Sequence, residues 1–258
     1  MHRARAAGCG ILIAHVKTVR IGTWNVDHAR PLRNDGRLEI LRTFGADVWV
    51  LTETRDDLSP GDEFHPVHSA PRSVAHPGER WVSIWSSLPF IELVPVHDKS
   101  RTVAALYETS FGPLVVFATV LPWHADTGPN ANARNWTEQH RIVPEQADEW
   151  AAIRQRYPTA ALCVAGDLNM NLGGPHYYGT KVGRELLEQG LEDAGLECVT
   201  RTEHVPEGRL QLPHIDHVCL STTWAPGARV VEAWPGIIEG VELSDHSGLV
   251  VSVEQPVG

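Results

Sequence analysis

Along this chain, apolar residues come in short runs that end on a polar side chain, and amphipathic stretches separate the runs. Residues 19–26 alternate and are rich in β-formers, predicting a strand that delivers Asn25 to its end. A polar loop, 27–37, leads to helical spacing over 38–44, stopped by Gly45. The nearly continuous apolar run 47–53 then ends in Glu53, so a strand–helix–strand unit is predicted. Residues 56–78, with four prolines, read as a loop in which His65, His68 and His76 are solvated. Strands are predicted over 81–86, 102–109 and 114–120, the last two joined by a hairpin turn at Ser110-Phe111-Gly112-Pro113. A second loop, 126–136, carries Asn130, Asn132, Arg134 and Asn135. Helical spacing follows over 141–156 and again over 182–194, stopped by Gly195.

Between these helices the stretch 162–172 reads Leu-Cys-Val-Ala-Gly-Asp-Leu-Asn-Met-Asn-Leu: an apolar run, a break at Gly166, then Asp167 and Asn169. Residues two apart in extended chain share a side, so this acid and amide can address one centre. A tight turn at Gly166-Asp167 is the plainer alternative. Residues 215–221 form a strand interrupted by Asp216 and His217, whose burial requires partners. Ser244-Asp245-His246-Ser247 precedes a closing strand over 248–253.

Composition narrows the classes. At 258 residues and 42% hydrophobic, the chain suits a globular protein with a sizeable core. With no fixed-period repeat and no low-complexity linker, one domain over 18–258 is expected, preceded by a leader over 1–17. A net charge of -10 speaks against a broad electrostatic grip on nucleic acid, while excess carboxylates suit a divalent-cation site. The four cysteines lack short paired spacing, which argues against a zinc ribbon; Cys163 and Cys219 are expected in the core. No apolar run approaches the roughly 20 residues of a membrane span, and a cytoplasmic monomer without a protein partner is expected.

Taken in order, Thr-Trp-Asn25-Val, Leu-Thr-Glu53-Thr, Gly-Asp167-Leu-Asn169, Ile-Asp216-His-Val and Ser-Asp245-His246-Ser resemble the endonuclease/exonuclease/phosphatase superfamily over residues 19–253. The resemblance implies an α/β fold, a four-layer α/β sandwich of two packed, mainly antiparallel mixed sheets flanked by helices. It implies hydrolysis of a phosphate ester with Mg2+ or Mn2+, in which Glu53 is the principal metal carboxylate with Asn25 and Asp245 near the ion. His246 would contact the phosphate or take the water proton, Asp216 would orient it, and Asp167 and Asn169 would align the nucleophile and hold a phosphoryl oxygen. Asp167 rivals His246 as the base. Many members carry a His or Tyr where this chain has Val120, so His124 is expected to stand in, supported by Glu79. Arg101 and Arg134 are expected to meet an anionic substrate.

The leading expectation is a phosphodiesterase or nuclease. The alternative is a phosphatase for a small phosphorylated metabolite or lipid headgroup. A silent binding module would lack one of Glu53, Asp167, Asn169, Asp245 or His246, and all five are present. No Gly-x-Ser-x-Gly elbow supports serine hydrolysis.

Overall fold

The computed structural model describes residues 17–129 and 134–255. Of the expected leader only Lys17 lies within that range, and Asn130 and Asn132 of the second loop lie outside it. Strands β1 (Thr18–Asn25), β2 (Val48–Arg55), β3 (His65–His68), β4 (Glu79–Ser86), β5 (Phe90–Val94), β6 (Thr102–Thr109) and β7 (Gly112–Val120) occupy the first half. The second half holds β8 (Ala161–Asp167), β9 (Leu196–Cys198), β10 (Asp216–Ser221), β11 (Ala228–Trp234), β12 (Ile237–Ile238), β13 (Val241–Glu242) and β14 (Gly248–Glu254). Three α-helices, α1 (Asn34–Phe44), α2 (Thr137–Arg156) and α3 (Lys181–Asp193), and four short 3-10 turns complete the described elements.

One six-stranded sheet runs β11-β14-β1-β2-β4-β3, the other β5-β6-β7-β8-β10-β9, and β12-β13 form a small ribbon. Pairing is antiparallel except for β1 with β2 and β7 with β8, the two pairs joined through helices α1 and α2. That follows from connectivity, since a parallel pair needs a crossover long enough to return the chain to the same end.

Three apolar layers hold the sandwich. Between the sheets, the inner faces meet through Ile21, Val48, Val50 and Val251 on one side and Val103, Val116, Cys163 and Val218 on the other. Outside the second sheet, Phe117, Leu162 and Val164 pack on Val143, Trp150, Leu187 and Leu191 of α2 and α3. Outside the first sheet, Trp24, Trp49, Trp85 and Trp234 pack with Leu41 of α1. Four layers of secondary structure around three cores give the expected α/β sandwich, and Cys163 and Cys219 are fully buried as expected.

The sequence reading misses the short ribbon β12-β13 and four further strands. Strand β3 lies inside the expected loop, pairing with β4 from His65↔Ser86 to His68↔Ser83; Pro66 is tolerated there because β3 is an edge. Strand β5 is also an edge, with Phe90, Ile91 and Leu93 about half exposed, so it shows no inside–outside alternation. Strand β9 has three residues, and β11 carries a bulge between Val230 and Glu232 that breaks its period.

Gly166 fixes the geometry at the end of β8. Its φ is +132°, and a Cβ there would stand 2.0 Å from the Thr119 carbonyl oxygen of β7. Only glycine lets the two backbones approach this closely while β8 turns toward the rim.

Candidate active site

Strand register brings the polar residues together. Asp216 at the start of β10 lies opposite Asp167 at the end of β8, and Val120 at the end of β7 flanks Asp167 on its other side. In the first sheet Asn25 pairs with Thr52, which sets it beside Glu53. The ends of both sheets meet at Asn25, whose Nδ2 donates to Glu53 Oε1 (3.1 Å) and to Asp167 Oδ2 (3.2 Å). The Asp27 amide donates to Asn25 Oδ1 at 3.0 Å and fixes the orientation of that side chain.

The loop carrying His246 is tied to β1. The Ser244 hydroxyl donates to the Asn25 carbonyl (2.6 Å) and accepts from the His246 amide (3.0 Å). The Trp24 indole N–H donates to the His246 carbonyl at 3.2 Å. So held, His246 Nδ1 lies 2.6 Å from Asp216 Oδ2; an ionised carboxylate only accepts, so Nδ1 is the donor and Nε2 is the ring nitrogen left for chemistry. Ligand atoms of Asp167, Asp216 and His246 all lie within 4.8 Å of one another.

Burial and charge shift these groups together. Burial, reinforced by Asp216 and Glu53 against the opposing effect of His246, pushes the Asp167 carboxyl up to about 7. Burial works against the charged His246 imidazolium, but the Asp216 and Asp167 carboxylates outweigh it and raise the ring to about 10. Burial also pushes Glu53 up, yet the hydrogen bond and charge of His28, with the Asn25 amide, bring it below the ordinary carboxylate range. A cluster of three carboxylates is thus held with one imidazolium and one amide at its centre.

Backbone strain marks the same residues. Glu53 and Asn169 sit at φ +47° and +48°, and Asp27, His28 and Ala29 form a consecutive left-handed run beside them. Non-glycine residues in that region persist where surrounding contacts over-determine them. Asn169 is held by its amide to Asp167 Oδ1 (2.8 Å) and by Nδ2 to the Leu121 carbonyl (2.9 Å).

The other residues singled out in the sequence lie outside this hydrogen-bonded cluster. Glu79 pairs with Arg72 (3.5 Å) and His76 (3.7 Å) rather than with His124. His124 is exposed, its ring edge-on to Trp136 at 5.8 Å. Asp245, next to His246 in the chain, and Arg134 are exposed. The Arg101 guanidinium is paired with buried Asp126, so it is not a free cation awaiting an anion. His217 is structural: Nε2 bonds the Met170 carbonyl at 2.9 Å and Nδ1 the Thr200 hydroxyl at 3.1 Å.

Residues that sequence reading missed complete the rim. His28 Nε2 lies 2.7 Å from Glu53 Oε2, and Arg72 contacts the same imidazole. Arg72 covers the Trp81 ring at 4.2 Å, and Arg101 lies between Trp81 (5.2 Å) and Trp123 (5.3 Å). The two indoles are 5.6 Å apart, tilted by 39°. On the other flank Tyr178 meets Trp136 edge-on at 5.0 Å, and its loop is pinned by buried Asn171, whose Oδ1 accepts the Tyr177 and Tyr178 amides at 2.9 Å. No sequence spacing links these residues.

With this geometry in place, similarity to known proteins is informative. The family model described as Endonuclease/Exonuclease/phosphatase family matches residues 22–246. The chain belongs to that family. No curated protein sequence matches it. Among solved structures, the endonuclease domain of TRAS1, a telomere-specific non-LTR retrotransposon, superposes with TM-score 0.65 at 16% identity, covering 93% of this chain and 100% of that one. Truncated Caenorhabditis elegans TDP2 gives 0.61 at 14%, covering 92% and 98%. An AP endonuclease from Archaeoglobus fulgidus gives 0.61 at 17%, covering 90% and 98%. At such identities these structures share the fold. Hydrolases of the family act on phosphate esters, and the strand-end acids sit where the sheets of this fold converge. Among the described residues no helix is long and apolar enough to cross a membrane.

Proposed function

We propose that this chain is a divalent-metal-dependent phosphodiesterase, most active as a nuclease. The observation that carries the reading is the convergence of Glu53, Asn25, Asp167, Asp216 and His246 on one rim from four strands and a loop. Three neighbouring carboxylates, with Asp216 Oδ1 buried and lacking a hydrogen-bond partner, are a hard-oxygen donor set with excess negative charge, which fits Mg2+ or Mn2+. Glu53, next to Asn25, would hold the ion, and exposed Asp245 adds negative charge at the solvent side. When bound, such an ion offsets charge developing on the phosphoryl oxygens.

The protein groups divide the remaining work. His246, its Nδ1 committed to Asp216, presents a protonated Nε2 that donates to a phosphate oxygen. Asp167 is the better base: its carboxylate is buried, aligned by Asn25 and Asn169, and its proton affinity is raised to near neutrality, so the ionised form can take a proton from the attacking water. Asn169 aligns Asp167 through its backbone amide, and its side chain anchors the strand end to Leu121.

The test is a panel of Mg2+, Mn2+, Ca2+ and EDTA with bis-p-nitrophenyl phosphate, p-nitrophenyl phosphate, oligonucleotides and inositol phosphates. Diester hydrolysis that needs Mg2+ or Mn2+, and that falls about a hundredfold or more in Glu53→Gln, is the expected result. Turnover that survives both EDTA and this substitution rejects the metal role. Cleavage of monoesters alone selects the phosphatase reading instead.

A further inference from the structure

Trp81, Trp123, Arg72 and Arg101 form a contiguous surface one imidazole away from Glu53: His28 touches Glu53 at 2.7 Å, and its ring lies 6.5 Å from that of Trp81. Both indoles are partly exposed, and each guanidinium lies over an indole. The charges are already matched, because Arg72 pairs with Glu79 at 3.5 Å and Arg101 with Asp126. With a guanidinium against each indole, the surface offers stacked guanidinium planes and indole edges, with little net positive charge.

That balance selects among ligands. A polyphosphorylated headgroup needs uncompensated cations, and here both arginines are neutralised locally on a chain of net charge -10. A duplex needs many phosphate contacts and keeps the faces of its bases stacked. An unpaired base presents a free face, and base–aromatic stacking gains about 1–3 kcal/mol per base with little dependence on sequence. Resting on the phosphodiesterase reading, we infer that Trp81 and Trp123 with their guanidinium lids are a stacking subsite for an unpaired nucleobase next to the scissile phosphate. The substrate class is therefore single-stranded nucleic acid, or a strand with a base swung out.

The experiment compares binding, without turnover, of a short fluorescein-labelled oligothymidylate and its abasic counterpart of equal length. Both are measured by anisotropy in Ca2+ and in EDTA, on the full chain. Wild type should bind the base-bearing strand about tenfold or more tighter than the abasic one. Trp123→Leu and Trp81→Ala should shrink this gap, while Trp123→Phe and Trp81→Phe keep most of it. The salt slope should be shallow, with a log–log magnitude of roughly one to two, as few phosphates are neutralised. Equal affinity for the two strands, or a gap untouched by Trp123→Leu in a protein whose melting temperature is unchanged, overturns the subsite. Tighter binding of duplex than of single strand also overturns it. Hydrolysis of bis-p-nitrophenyl phosphate is read in parallel: if it persists while base-dependent binding is absent, the subsite fails and the phosphodiesterase stands. If base-dependent binding is present without diester hydrolysis, the reverse holds.

Discussion

His246 retains its proton because Asp216 lies 2.6 Å from Nδ1 and Asp167 adds a second carboxylate nearby. A ring raised to about 10, against an ordinary value near 6.5, contributes stability in full below the lower value. That contribution is lost as pH climbs through the upper one. Asp167 acts in a different window: raised from 3.8 to about 7, its ionisation weakens the fold on the way up to neutrality. Above pH 7 the loss from His246 is joined by losses from buried His217 and Cys163, which the fold also holds above their ordinary values. In EDTA, the thermal midpoint of the wild type should therefore decline from about pH 7 to 10. Asp216→Asn should flatten that decline and return the His246 resonance toward an ordinary histidine midpoint by NMR titration. An unchanged midpoint in the variant would show that Asp216 does not govern the ring. The positions of Asp216, Asp167 and Glu53 were legible because each ends or interrupts an apolar run, where an acid is conspicuous; the roles expected of them came from the family resemblance. His28 and Arg72 were not legible, because their pairing spans 44 residues of chain and is made by loops that no periodicity registers.

At the scale of elements, the strands that were legible are those with one face in a core. The run leading to Asp167 reads as a strand because all seven of its residues are buried, and β6 was legible to its last residue because its alternate positions feed two cores. Strand β5 hid because four of its five residues face solvent, and β3 because Pro66 is allowed only by its edge position. Element geometry also sets the site through Gly166. An alanine there would meet the Thr119 carbonyl and force β7 and β8 apart, displacing the Leu121 amide that donates to the Asp167 carbonyl at 2.9 Å. Gly166→Ala should lower stability by at least about 2 kcal/mol in urea unfolding and reduce turnover with it. A variant as stable and active as wild type would mean that the strands tolerate separation at this point.

For the molecule as a whole, three apolar cores carry the fold while the acid-rich rim is held at the convergence of both sheets. The division explains how strained residues at 27–29, 53 and 169 coexist with an ordered site: the sheets on either side supply the constraint. It also leaves one border of the second sheet open to solvent. Phe90, Ile91 and Leu93 line an unpaired strand edge, with neither proline nor lysine within β5 to discourage lateral pairing. Copies of the protein share a negative charge of -10, whose repulsion about 1 M salt shortens to a few ångströms. Light scattering should accordingly rise with ionic strength at high protein concentration, and Leu93→Lys should hold the solution clear. Colloidal behaviour would then be governed by five residues on the flank of the sandwich, remote in the chain from every group that does chemistry.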